Sequence, residues 1–252
     1  MSPDQYLRNV LAREQVDTGP FSPVRSIATT LAPMLKHWGN GYLLAIEPSG
    51  SFTKGTANRS STDIDLFLTL SSSTPDTLAQ IRSSLGNCLN QHGYQYRDQN
   101  VSLGINVAGN QVDLVPGKRQ SQYGTDHSLY RKKANTWTKT NIQTHINLVR
   151  VSRRTEEIRV VKLWRDQWGL DFPSIYLELA TLEALHGKPI GRLSENVTDV
   201  LRYFFGRLTA TRIVDPANTN NVISDDLSIS GKQAVAAAAQ KALNGSWESL
   251  VR

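Results

Sequence analysis

The sequence is short of cysteine: Cys88 is the only one in 252 residues. A single thiol excludes intrachain disulfides and any zinc site built from several cysteines. It fits a reducing compartment, so a cytoplasmic location is expected. Long apolar runs are missing too. Nothing approaches the ~20 consecutive apolar residues of a membrane-spanning helix. Mean hydropathy is −0.37, and no membrane association is expected. The first 30 residues carry acids and no continuous apolar segment, which argues against a secretory signal. No internal repeat recurs, and the alanine-rich KQAVAAAAQKAL is too short to count as low complexity.

What is present is an ordinary globular composition, 39% hydrophobic and 20% charged. The length suits one large domain or two small ones. Lys and Arg number 28 against 22 Asp and Glu, a formal net charge of +6. That excess suggests a polyanionic partner such as a nucleotide or nucleic acid.

Apolar spacing predicts the organisation. Val24, Ile27, Ala28, Leu31 and Leu35 mark an amphipathic helix ending near Gly39. YLLAIEP and DIDLFLTL read as strands on either side of a Gly50-Ser51 turn. SSSTPDT is a loop and helix cap, followed by a helix with the stripe Leu78, Ile81, Leu85 and Leu89. VSLGINVAGNQVDLVPG reads as a hairpin turning at Ala108-Gly109-Asn110, its second strand ending at Pro116-Gly117. Beyond about residue 140 the pattern is helical. Its stripes are Ile158, Val161, Trp164 and Trp168; Ile175, Leu179, Leu182 and Leu185; and Val197, Val200, Leu201, Phe204 and Phe205. VDPANTNNVISDD reads as a loop. The expected class is α+β, with a mixed α/β domain over residues 1–138 and a helical domain over 139–252.

Residues two apart on a strand share a face. Asp63 and Asp65 therefore point one way, while Ile64, Leu66 and Leu68 point to a core. Asp113, between Val112 and Leu114, follows the same logic. Three acids on neighbouring strands suit a hard, oxygen-preferring cation such as Mg²⁺. Glycine at Gly50 lets backbone N–H groups and the Ser51 hydroxyl approach phosphate oxygens, and Lys54 adds positive charge to the same loop.

The ordered set Gly50-Ser51, Asp63-Ile64-Asp65-Leu66 and a later Asp113 resembles the nucleotidyltransferase superfamily related to DNA polymerase β. VVKLWRDQWGLDFPSIYLELATLEAL resembles a segment shared by oligoadenylate synthetases, cyclic GMP–AMP synthase, bacterial CD-NTases and archaeal CCA-adding enzymes. NTWTKTNIQTHINLV and DPANTNNV resemble two further CD-NTase stretches, so the likeness runs from about residue 40 to 225. Ile142 departs from that pattern where it has Pro. Ile175 stands where relatives carry a base-stacking Tyr, and Tyr176 is one position too late.

The resemblance implies a polymerase-β-like palm followed by a helical domain, with the active-site cleft between them. It implies two Mg²⁺ ions, with Mn²⁺ as an alternative, bound by Asp63, Asp65 and Asp113. It also implies that Gly50, Ser51, Lys54, Lys162 and Ser174 bind the triphosphate of ATP or another NTP. The leading expectation is a synthase that makes a cyclic or linear oligonucleotide messenger, releases pyrophosphate and acts in antiviral signalling. The alternatives are an RNA or tRNA 3′-terminal nucleotidyltransferase and a non-catalytic nucleotide- or RNA-binding module. Arg131-Lys132-Lys133 and Arg150, Arg153 and Arg154 are the candidate contacts to RNA or DNA.

Overall fold

The computed structural model describes residues 1–61 and 63–252. All seven strands of these residues join one mixed sheet: β1 Leu43–Pro48, β2 Ile64–Leu70, β3 Arg97–Asp98, β4 Leu103–Val107, β5 Asn110–Arg119, β6 His127–Arg131 and β7 Thr136–Thr140. The order is β1-β2-β5-β4-β3, with β6 pairing to the end of β5 and β7 to β6. Among the described residues the helices are α1 Pro3–Arg13, α2 Pro23–Gly39, α3 Gly50–Lys54, α4 Leu78–Gln91, α5 Ile142–Ser152, α6 Thr155–Gln167, α7 Ser174–Ala184, α8 Leu193–Gly206, α9 Ile229–Leu243 and α10 Trp247–Leu250. None is long and apolar enough to cross a membrane.

The chain packs into two units that are discontinuous in sequence. One holds residues 17–54 and 63–146, hence the whole sheet. The other holds residues 1–16, 55–62 and 147–252. A single cut near residue 138, as the sequence patterning suggests, does not describe this grouping. The reason is visible in hydrogen bonds inside the second unit. Asn58 Nδ2 donates to the Arg159 carbonyl at 2.9 Å, and Arg159 Nε donates to Asn58 Oδ1 at 3.0 Å. The Arg59 N–H donates to the Glu14 carbonyl at 3.1 Å.

In the sheet unit the alternation of β2 decides its packing. Ile64, Leu66 and Leu68 are buried as expected, and α2 and α4 pack on the sheet. Phe67, on the opposite face, is buried as well, edge-on to His127. The hairpin between β4 and β5 turns at Ala108 and Gly109, whose φ angles of 49° and 85° suit a tight two-residue loop. The strand does not end at Pro116-Gly117, as expected, but runs to Arg119. At Pro116 the β4 ladder has finished and the β6 ladder, which starts at Lys118, has not begun, so β5 pairs there with β2 alone and Pro116 can sit without breaking the sheet. α4 begins with a capping box between Thr77 and Gln80.

In the other unit the core joins α1 to the C-terminal helices. Leu7, Ile158, Val161, Trp164, Val197, Val200, Leu201 and Phe204 belong to it. Phe205, expected in the same stripe, is 46% exposed because it lies off the arc that Val197, Leu201 and Phe204 share.

Leu66, next to Asp65 on β2, is fully buried. Leu66→Ala should cost ~2–5 kcal/mol of stability, read as a lower urea midpoint at unchanged slope.

Candidate active site

The site is built on the parallel pair β2 and β5. Its register places Asp65 directly beside Asp113, with Leu66 beside Leu114 one step on. Parallel neighbours in register present their side chains to the same face, so the two carboxylates stand side by side above a buried leucine layer. Asp63 lies one residue before β2 rather than in it, and is exposed. Its charge nevertheless reaches Asp113. Burial holds the Asp113 carboxyl above the ordinary carboxylate range, and the Asp63 charge raises it further.

Gly50 completes this group. β1 runs antiparallel to β2, and just past its end the Ser49 N–H donates to the Asp65 carbonyl at 2.8 Å. Gly50 follows with φ 58°, and a Cβ there would sit 1.8 Å from Asp65 Oδ2. Only glycine satisfies both the left-handed backbone and the close approach. The expected flexible turn is in fact the first residue of the short helix α3, with Ser51 and Lys54 half-buried on it.

The oxygen-only donors suit a hard divalent cation. Among the described residues no three Asp, Glu, His or Cys side chains converge closely enough to hold an ion. The fit therefore rests on pairs: Asp65 beside Asp113, and Asp63 acting on Asp113.

Asp113 has partners that sequence patterning does not single out. Gln99 Nε2 donates to Asp113 Oδ1 at 2.9 Å, and Ser102 Oγ lies 3.5 Å from Oδ2. Gly104 is opposite Asp113 in the β4–β5 ladder. Gln99 and Ser102 occupy the polar turn between β3 and β4, which has no apolar periodicity, so no sequence signal marks them.

Lys162 and Ser174 belong to the helical unit. Lys162 is 5% exposed, and its ammonium is 2.9 Å from Glu178 Oε1 and 3.3 Å from Thr56 Oγ1. Thr56 also donates to Glu178 at 3.1 Å. The lysine thus faces the interior of its unit in this conformation. Ser174 is exposed at the first position of α7, one turn before Glu178, and accepts a hydrogen bond from Arg165 Nη1 at 2.8 Å. Tyr176 is fully buried, with its hydroxyl directed at the Leu208 carbonyl, and is closed to a stacking base.

The candidate basic contacts divide. Arg154 is buried, bound to Glu157 and to the carbonyls of Pro189 and Lys188, and so leaves the surface set. Lys132 pairs with Asp98. Lys133, Arg150 and Arg153 are exposed.

No protein-family profile matches the chain. The cyclic AMP-AMP-AMP synthase of Escherichia coli (strain MS 115-1) is 26% identical over 185 residues, covering 66% of this chain and 57% of that protein. The chain therefore spans less than two thirds of that relative. Among solved structures, CdnC of E. coli MS115-1 in its complex with HORMA-deltaN matches with a TM-score of 0.78 at 20% identity, over 97% of this chain and 90% of that one. CdnG, the CD-NTase of Bradyrhizobium diazoefficiens in complex with GTP, matches at 0.81 and 13%, over 99% and 91%. The Cid1 poly(U) polymerase matches at 0.68 and 13%, over 96% and 93%. The chain has the nucleotidyltransferase fold, and its resemblance to the CD-NTases holds in sequence and in structure.

Two measurements probe these arrangements. Lys162→Ala removes the opposite charge from the buried Glu178 carboxylate and should cost ~3–5 kcal/mol, whereas replacing both partners with apolar residues should recover most of the loss. The second concerns Asp113, whose raised carboxyl makes the folded chain bind the proton more tightly than the unfolded chain does. Its contribution to stability therefore falls as pH climbs from the ordinary carboxyl value through the raised one. Asp63→Asn removes a like charge, so the Asp113 carboxyl should titrate lower by NMR and the metal-free melting temperature should rise at pH 7.

Proposed function

We propose that this chain, which has the nucleotidyltransferase fold, is a metal-dependent nucleotidyltransferase that joins NTPs into a cyclic or linear oligonucleotide messenger. The observation that carries the reading is the register of β2 against β5. It sets Asp65 beside Asp113 on one face, with Gly50 pressed against Asp65. The likeness to a cyclic AMP-AMP-AMP synthase supports the messenger as product.

Asp63, Asp65 and Asp113 would hold a divalent cation, Mg²⁺ or Mn²⁺, which when bound neutralises phosphate charge as a Lewis acid. The chain's own residues do the rest. Gly50 leaves room at the start of α3, where the backbone N–H and the hydroxyl of Ser51 can meet phosphate oxygens, with Lys54 adding charge on the same helix. Ser174 offers a second hydroxyl at the start of α7. Lys162 enters through α7, because its bond to Glu178 fixes the face that carries Ser174 one turn earlier. Asp113 orients the acceptor hydroxyl for attack on the α-phosphorus and accepts its proton. The new P–O bond forms as the bond to the pyrophosphate oxygen breaks, and catalysis is mostly positioning and charge neutralisation.

The fold shared with Cid1 poly(U) polymerase favours one alternative, addition of nucleotides to an RNA 3′ end. Exposed Lys133, Arg150 and Arg153 would then contact the RNA backbone. Incubation with labelled NTPs and Mg²⁺ or Mn²⁺, with and without RNA, tests both. Short phosphatase-resistant products should form from NTPs alone, and Asp65→Asn and Asp113→Asn should each abolish them. Label appearing only on added RNA would replace the messenger reading with the alternative. Wild-type activity in either variant would overturn the acid assignment.

A further inference from the structure

We infer that Gln99 and Ser102 form a relay that aims the Asp113 carboxylate, and that Gln99 is a positioning residue of the site. The inference rests on the nucleotidyltransferase reading above. It concerns a part of the site that the three aspartates and the nucleotide contacts do not cover.

The relay follows from donor and acceptor chemistry. A carboxylate only accepts, and an amide has one donating and one accepting end. Gln99 Nε2 donates to Asp113 Oδ1 at 2.9 Å, so Oε1 faces the other way, where the Ser102 hydroxyl donates to it at 2.8 Å. Ser102 has one hydroxyl proton, and its 3.5 Å approach to Asp113 Oδ2 is much the longer of its two contacts. The proton therefore belongs to Gln99. Turning the amide over would set its oxygen against a carboxylate oxygen, so the acceptor-only Asp113 selects the orientation, and Ser102, donating to Oε1, supports it from behind.

The turn that carries both residues is itself anchored. Arg82, on α4 and 6% exposed, donates to the Ser102 carbonyl at 2.9 Å, to the Gln99 carbonyl and to Asp98. The Gln99 N–H closes the turn on the Ser102 carbonyl at 3.2 Å. On the remaining side stands Gly104. A Cβ there would lie 2.9 Å from Asp113 Oδ1 and 2.9 Å from Gln99 Nε2, so the ladder leaves space where this hydrogen bond forms. A buried cation thus grips a turn, the turn aims an amide, and the amide fixes one oxygen of Asp113. The other oxygen is left to the reaction.

The test uses the intact protein with Mn²⁺ and a non-hydrolysable ATP analogue, read by electron paramagnetic resonance, together with kcat and KM for NTP. Gln99→Met keeps the length and volume of the side chain and removes the amide donor. It should weaken Mn²⁺ binding and lower kcat by roughly 10–100-fold, the range typical of lost outer partners of metal ligands. KM for NTP should stay within about twofold, since the amide touches no phosphate. Ser102→Ala should act in the same direction more weakly, and its effect should vanish in the Gln99→Met background if it works only through the amide. Melting temperatures of all variants report whether the fold survives. Gly104→Ala, which presses on the same bond from the opposite strand, gives an independent second variant.

Wild-type Mn²⁺ affinity and kcat in Gln99→Met would overturn the relay, as would a full Ser102→Ala effect in that background. Asp113→Asn separates this failure from that of the parent reading. If Asp113→Asn leaves Mn²⁺ binding intact, Asp113 is not a ligand and both inferences fall. If it abolishes Mn²⁺ binding while Gln99→Met does not weaken it, only the relay is lost.

Discussion

The candidate site depends on the parallel, in-register pairing of β2 with β5. Two like charges side by side on a sheet repel, and burial, with the nearby Asp63 charge, also holds the Asp113 carboxyl above its ordinary range. The strands hold this arrangement because the alternate residues, Ile64, Leu66 and Leu68 on one strand and Val112 and Leu114 on the other, are buried beneath it. Full burial of each such side chain contributes roughly 1.5–3 kcal/mol, so the leucine layer outweighs a repulsion between partly solvated acids. Slipping either strand by one residue would put aspartates in the core, which makes the register self-enforcing. A site that concentrates negative charge in this way suits a ligand that brings positive charge with it.

The helical unit uses the opposite device. Lys162, Glu178 and Thr56 form a buried cluster in which the opposite charges pair. Arg154, Glu157 and Asn196 make a second one, joined to the Pro189 carbonyl. Such clusters tie helices to particular neighbours, since an unpaired buried charge is far costlier than a misplaced leucine. Thr56 and Asn58 tie residues 55–61 to this unit by bonds of this polar kind.

Sequence patterning reached the elements that alternate or recur strongly. The α2 and α4 stripes, the β4–β5 hairpin and the inward side of β2 were legible because burial on one face imposes a period of 3.6 or 2. The edge pieces β3, β6 and β7 were not. β3 is two residues long, and on β7 every residue is exposed or half-buried, so neither carries an apolar rhythm. Gly50, Asp63, Asp65 and Asp113 could be singled out because their order along the chain carries the fold's signature. Gln99 could not, since a polar residue in a polar turn looks like any other until the turn is folded against β5.

The amino-acid sequence by itself determined the class of the fold, the strand that bears Asp65 and, through its single cysteine, the exclusion of intrachain disulfides. Each of these is a property of a short stretch or of composition, set by periodicity or residue count. Only the tertiary structure decided that Asp113 stands beside Asp65, that Gln99 and Ser102 reach it, and that Lys162 turns inward to Glu178. Those are contacts between segments far apart in the chain. They exist because burying the apolar faces of the sheet and helices leaves one arrangement in which the polar groups carried with them also find partners.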